Sequence, residues 1–143
     1  MNQNSLKDSV IVSITLSAEA DSEPEAKEWI AWTIYNRSKH KAYPDTMAGV
    51  CLQKFQYSEW NTDIADRINL ERVLKMPETG NPNWTSSVTA FNKVMSDIGQ
   101  GNPDPTNGST HFYADSIEEP NWAKSPSIFR GSKGRVRFYS NVN

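Results

Sequence analysis

The chain has 143 residues, enough for one hydrophobic core and so for one domain spanning 1–143, but not for two. Its formal charge of −2 leaves no basic footprint for sequence-independent binding of nucleic acid, and 10% aromatic residues with five Trp argue against disorder. Cys51 is the only cysteine and His40 and His111 stand far apart, so an intramolecular disulfide is excluded and no metal-ligand spacing is present.

The longest apolar run is too short to cross a bilayer, and the first residues lack the basic and apolar regions of a secretion signal. The expectation is a chain without membrane insertion and without a signal peptide. No internal repeat or low-complexity tract appears. Two basic runs, Arg37, Lys39, His40 and Lys41, then Arg130, Lys133, Arg135 and Arg137, read as solvated faces or as attractors for an anionic polymer.

In chain order, residues 6–20 predict a first helix with Leu6, Val10, Ile14 and Ala18 on one face, although the β-branched run within it also permits a strand. Glu19 closes this segment where it meets the next. Apolar surroundings there, with Asp21 and Glu23 close by, would raise its pKa toward the range of a general acid. The plain alternative is a carboxylate on a solvated helix end.

Ser22 with Glu25 forms a capping-box pattern and Pro24 suits a first turn, which predicts a second helix from 22 to about 39. Ala26, Trp29, Ile30, Thr33, Ile34 and Arg37 give it one buried stripe. Pro44 breaks it, and Asp45 or Thr46 then caps a short helix over 47–52.

Residues 53–61 follow no period but hold Phe55, Gln56, Tyr57, Ser58, Trp60 and Asn61. Rings that stack on pyranose faces, beside amides and hydroxyls that bond their hydroxyl groups, suit a sugar site; a loop pinned into the core is the competing reading. A polar helix is expected at 63–75. The helix expected over 84–99 has Thr85 or Ser86 as its cap and Val88, Phe91, Val94, Met95 and Ile98 as core positions. Asn107-Gly108 signals a tight turn, residues 110–114 a short strand, 115–132 a long loop, and 135–139 a second strand able to pair with the first.

The order of these motifs resembles the cell-wall hydrolase family typified by bacterial spore-cortex-lytic enzymes. Glu19-Ala20-Asp21-Ser22-Glu23-Pro24 stands where that family has Glu-Ala-Arg-Gly-Glu-Pro. Asn36-Arg37, Tyr43-Pro44-Asp45-Thr46, Gln56-Tyr57-Ser58, Asp104-Pro105-Thr106-Asn107-Gly108-Ser109, the pair Phe112-Tyr113 and Trp122 follow in the family's sequence. Two departures stand out: Asp21-Ser22 replaces Arg-Gly, and residues 60–85 are longer and more polar than the family pattern.

The resemblance implies a mostly α, α+β fold: a lysozyme-like helical domain with a small two-stranded antiparallel sheet near the C-terminus. It implies cleavage of the β-1,4 bond between N-acetylmuramic acid and N-acetylglucosamine in bacterial peptidoglycan glycan strands, by a monomer without cofactor or metal. Glu19 falls on the catalytic position, and Glu23, Gln56, Tyr57, Ser58, Trp60, Thr110, His111, Tyr113 and Trp122 are the expected substrate-binding residues. A lytic transglycosylase would use Glu19 alone as acid and then base. A hydrolytic muramidase would add a second carboxylate from among Glu23, Asp45 and Glu59, and a non-catalytic glycan-binding or virion structural protein would use the groove without chemistry. The expected setting is a phage endolysin that accumulates in the cytoplasm until lysis, or a virion-associated lysin; a trimmed bacterial enzyme is the further alternative.

Overall fold

Helix α1 spans Gln3–Glu19, and its second half is buried on every side: Val12 to Ser17 are all at or below 4% exposure. The computed structural model describes residues 3–20, 24–53, 75, 81–124 and 126–142. Leu6 and Val10, expected on the buried face, are instead 57% and 44% exposed. The reason is packing: α1 meets α2 (Lys27–Ser38), α3 (Met47–Leu52) and α4 (Pro82–Gly99), so position along its axis decides burial more than face does. Hydroxyls survive inside because they bond back to the preceding turn, Thr15 to the Ile11 carbonyl at 2.8 Å and Ser17 to the Ser13 carbonyl at 2.9 Å.

The second helix begins later than its capping-box pattern suggests. A 3-10 turn, Pro24–Ala26, leads into α2, and its cap position, Ala26, offers no side-chain bond. The stripe itself is present, with Ala26, Ile30, Thr33, Ile34 and Arg37 buried and Trp29 half-buried. Helix α3 is capped as expected by Thr46, whose Oγ1 accepts from Gly49 N at 3.0 Å, and Asp8 of α1 adds a second acceptor for Ala48 N at 2.8 Å. Helix α4 starts on Asn81 rather than on Thr85 or Ser86: Asn81 accepts from Asn83 N at 2.8 Å, and Pro82 fills a first-turn position that needs no donor. Phe91 and Val94 are buried in the core as expected, whereas Met95 lies at its margin, 36% exposed.

Three strands follow, β1 (His111–Ala114), β2 (Ile128–Lys133) and β3 (Val136–Ser140), in the antiparallel order β1-β3-β2. The expected pairing of the first and last strands in the chain is present, with Phe112 opposite Phe138 and Tyr113 opposite Arg137. The third strand lies inside the stretch expected to be a loop. Its alternation is hidden by a register shift between Phe129 and Gly131, where an extra residue reverses which side chains face inward. The inner face joins the helical core through Phe138, fully buried, with Trp29 edge-on to it at 5.2 Å and Phe112 at 5.8 Å.

Candidate active site

Glu19 is the last residue of α1 and is half-buried. The turn that carries it is tied down by polar side chains from two other helices. Asn83 Nδ2 of α4 donates to the Ser17 carbonyl at 3.0 Å, occupying one of the carbonyls that a helix end leaves open. Ser17 Oγ and Ser87 Oγ lie 2.9 Å apart, within hydrogen-bond distance. Lys27, at the start of α2 and only 1% exposed, donates through Nζ to Ser87 Oγ at 2.8 Å and to Asn83 Oδ1. Three helix ends therefore meet at Ser17, in the last turn of α1, two residues before Glu19.

Of the expected binding residues, Glu23, Gln56, Tyr57, Ser58 and Trp60 lie outside the described residues. So does Glu59, one of the second-carboxylate candidates. Asp45 is described and is exposed in the turn entering α3. That turn is anchored to Asp8, 11 positions before Glu19 on α1, about 16 Å away at 1.5 Å per residue. Two-carboxylate hydrolysis needs separations of roughly 5 to 9.5 Å, so Asp45 is at the wrong end of the helix.

His111, Tyr113 and Trp122 are brought together on the outer face of the sheet. The Trp122 ring lies 5.0 Å from His111, 5.8 Å from Tyr113 and 5.5 Å from Tyr139, and Tyr113 stacks on Tyr139 at 5.9 Å. Phe129, 46% exposed, extends the wall at 5.5 Å from Tyr139, and the Arg137 guanidinium covers Phe129 at 4.5 Å. A hydrogen bond to Tyr139 holds the Tyr113 phenol above its ordinary range, and the same ring's hydroxyl holds Arg137 charged more firmly. The result is a continuous aromatic wall with polar tips, the chemistry that stacks on sugar rings. Sequence reading reached three of its members and missed Tyr139 and Phe129; their signal was the alternation of β3 and a strand masked by its bulge.

The loop before β1 is held by the end of α2. Asn36 Nδ2 donates to Asp104 Oδ2 at 2.9 Å and to the Ser109 carbonyl at 3.0 Å, and Arg37 Nε donates to the Thr110 carbonyl at 2.6 Å. Asp104 also accepts from Thr106 N and Oγ1, both at 2.7 Å, and from Gly108 N at 2.9 Å. Asn107 and Gly108, at φ of 52° and 82°, make the expected tight turn, closed by Ser109 N on the Thr106 carbonyl at 3.3 Å. Arg37 thus works as an internal strut at the end of the buried stripe, and not as part of a solvated basic face.

Thr110 leads into β1, and its Oγ1 lies 2.9 Å from His111 Nδ1. Burial, then the nearby charge of Arg37, pushes the His111 imidazole down to about 4, so the ring is neutral at pH 7. A cavity of about 280 Å³ lined by His40, Ala42, Tyr43, Thr110, His111 and Val142 opens beside it. Among the described residues, no group of three or more His, Cys, Asp or Glu is placed to hold a metal ion, and no helix is long and apolar enough to cross a membrane.

A family model described as Cell Wall Hydrolase matches residues 21–139. The chain belongs to the cell wall hydrolase family. Glu19 stands two residues before the matched span, while the aromatic wall and the Asn36–Asp104 clamp fall within it. Among solved structures, this cell wall hydrolase is similar to the catalytic domain of the germination-specific lytic transglycosylase SleB from Bacillus anthracis. The TM-score is 0.68 at 16% identity, over 96% of this chain and 95% of that one. Likeness at that identity establishes a shared α+β fold. No curated protein matches the chain.

Proposed function

We propose that this chain cleaves the bond between N-acetylmuramic acid and N-acetylglucosamine in bacterial peptidoglycan, as a lytic transglycosylase with Glu19 as its one acid and base. The observation that carries the reading is the seat of Glu19: a half-buried carboxyl on the final residue of a helix whose last turn is pinned by α2 and α4. Family membership and the aromatic wall support it.

In the first step Glu19 gives its proton to the glycosidic oxygen as the bond from C1 of the muramic acid breaks, releasing the glucosamine end with a free hydroxyl. Positive charge develops on the muramic acid ring. The C6 hydroxyl oxygen of that same ring then attacks C1 while its proton returns to Glu19, which closes a 1,6-anhydro product and restores the acid. No water and no second carboxylate enter, in keeping with the distance of Asp45. His111, Tyr113 and Trp122 would bind glycan by stacking, with Thr110 and the neutral imidazole offering hydrogen bonds.

Glu19→Gln keeps the side chain's size and removes its acidity. It is expected to lower clearing of purified sacculi by at least about 1,000-fold while shifting the thermal midpoint by less than about 3 °C. Mass spectrometry of muropeptides released by the wild type should show anhydro ends. Reducing ends would replace the second step with hydrolysis, and near-normal clearing by Glu19→Gln would remove Glu19 from the acid role.

A further inference from the structure

The largest fully buried side chain in the described residues is a lysine. An ammonium taken out of water costs several kcal/mol unless it is held by well-placed partners, so Lys27 marks a position where charge has a use. It sits at the N-terminal ends of α2 and α4, where helix dipoles disfavour a cation, and beside the C-terminal end of α1, where they favour one. Its Nζ binds Asn83 Oδ1 and Ser87 Oγ, and those two residues in turn hold the carbonyl and the hydroxyl of Ser17. Two residues further along the same turn stands Glu19.

We infer that Lys27 is a positioning residue for Glu19: its buried ammonium locks the last turn of α1 through Asn83 and Ser87 and sets how readily the Glu19 carboxyl gives up its proton. The inference rests on Glu19 being the acid for its catalytic meaning, but its electrostatic half stands independently of turnover. A cation favours the ionised form of a carboxyl within its reach, so on this inference Lys27 opposes the burial that would otherwise drive Glu19 upward. The other charged groups on the described surrounding elements are engaged elsewhere or distant: Arg37 holds the Thr110 carbonyl and Asp97 pairs with Lys93. Glu25 is exposed in the 3-10 turn, and Glu28 is directed to Lys93 of α4 at 3.1 Å. Helix α3 carries none, and Lys7 and Asp8 stand at the far end of α1. Asp21 and Glu23, in the same connection, lie outside the described residues.

The test titrates the Glu19 side-chain carboxyl by carbon-13 chemical shift in the wild type and in Lys27→Met, and measures kcat and KM on soluble glycan strands. Removing the charge is expected to raise the Glu19 midpoint by about one pH unit and to carry the basic limb of the pH–activity profile upward with it. If Lys27→Met fails to fold, Lys27→Gln, polar but uncharged, carries the same titration. Ser87→Ala keeps the ammonium but cuts the bridge to Ser17, and is expected to lower kcat about threefold to tenfold with KM within about twofold. An unmoved Glu19 midpoint in a folded Lys27 variant, or wild-type kcat in Ser87→Ala, overturns the inference. Activity that survives Glu19→Gln while the midpoint still moves would instead sink the catalytic reading and leave the electrostatic link intact.

Discussion

At the scale of single residues, His111 shows how the site's surroundings become a measurable pH dependence. An imidazole in the unfolded chain titrates near 6.5, whereas burial and Arg37 hold the folded one at about 4. Between those values the unfolded chain takes up a proton that the folded chain refuses. Stability from this residue is therefore complete above about pH 6.5 and is lost as the pH falls toward about 4. Because the ring is only half-buried, solvent screening leaves an effect of about 1 kcal/mol. Urea unfolding of the wild type and His111→Gln at pH 7 and 4.5 isolates it, since the carboxylates are common to both proteins. The wild type should lose about 1 kcal/mol more than the variant on acidification, and equal losses would show that His111 contributes nothing.

At the scale of elements, the sheet is joined to the helices by a close approach at a glycine. Gly131 has φ of +145° and a Cβ there would meet the Trp29 ring at 3.2 Å, so Gly131→Ala imposes backbone strain and a contact tight enough to push the ring aside by a few tenths of an ångström. The expected cost is about 2 kcal/mol, read as a thermal midpoint lower by roughly 5 °C; a wild-type midpoint would mean that the sheet shifts away from α2 without loss. The elements differ in how plainly the chain announces them. The stripe of α2, the Thr46 cap and the Asn107-Gly108 turn are local patterns, and each is found where its chemistry demands. The start of α2 is not, because the 3-10 turn Pro24–Ala26 intervenes and Ala26 has no polar side chain to cap with; Ser22 lies outside the described residues. Strand β2 escaped because one bulged residue breaks a period of two, and the depth of α1 escaped because burial from three neighbours cannot be read from one helix's own spacing. Lys27 stands one position off the apolar stripe, where spacing gives no sign of burial; only long-range bonds to α4 reveal it.

At the scale of the whole molecule, the aromatic wall and the acid belong to different parts of the fold, sheet and helices. The end of α2 is their coupling, through Asn36 and Arg37 on the loop before β1. Asn36→Ala strips that loop of two close bonds and leaves the Ser109 carbonyl without this donor, at a cost of about 1–3 kcal/mol. Hydrogen exchange should localise the damage: amides of β1 and β3 speed up by tenfold or more while those in the second half of α1 keep their protection. Uniform acceleration in both parts would mean that the clamp supports the entire core. Motif order exposed the catalytic candidate and three members of the wall, but the wall's remaining rings and the coupling residues required the fold, since they are joined across distances such as the 68 positions between Asn36 and Asp104.

The all-round burial of the second half of α1 carries a consequence for biosynthesis. Its Ser17 reaches across 70 positions to Ser87, so the helix has no lid on that flank until α4 has been made. During translation Val12, Ile14 and Leu16 form a naked oily rod awaiting a partner that arrives late, and this long wait exposes the nascent chain to aggregation and to capture by holdase chaperones.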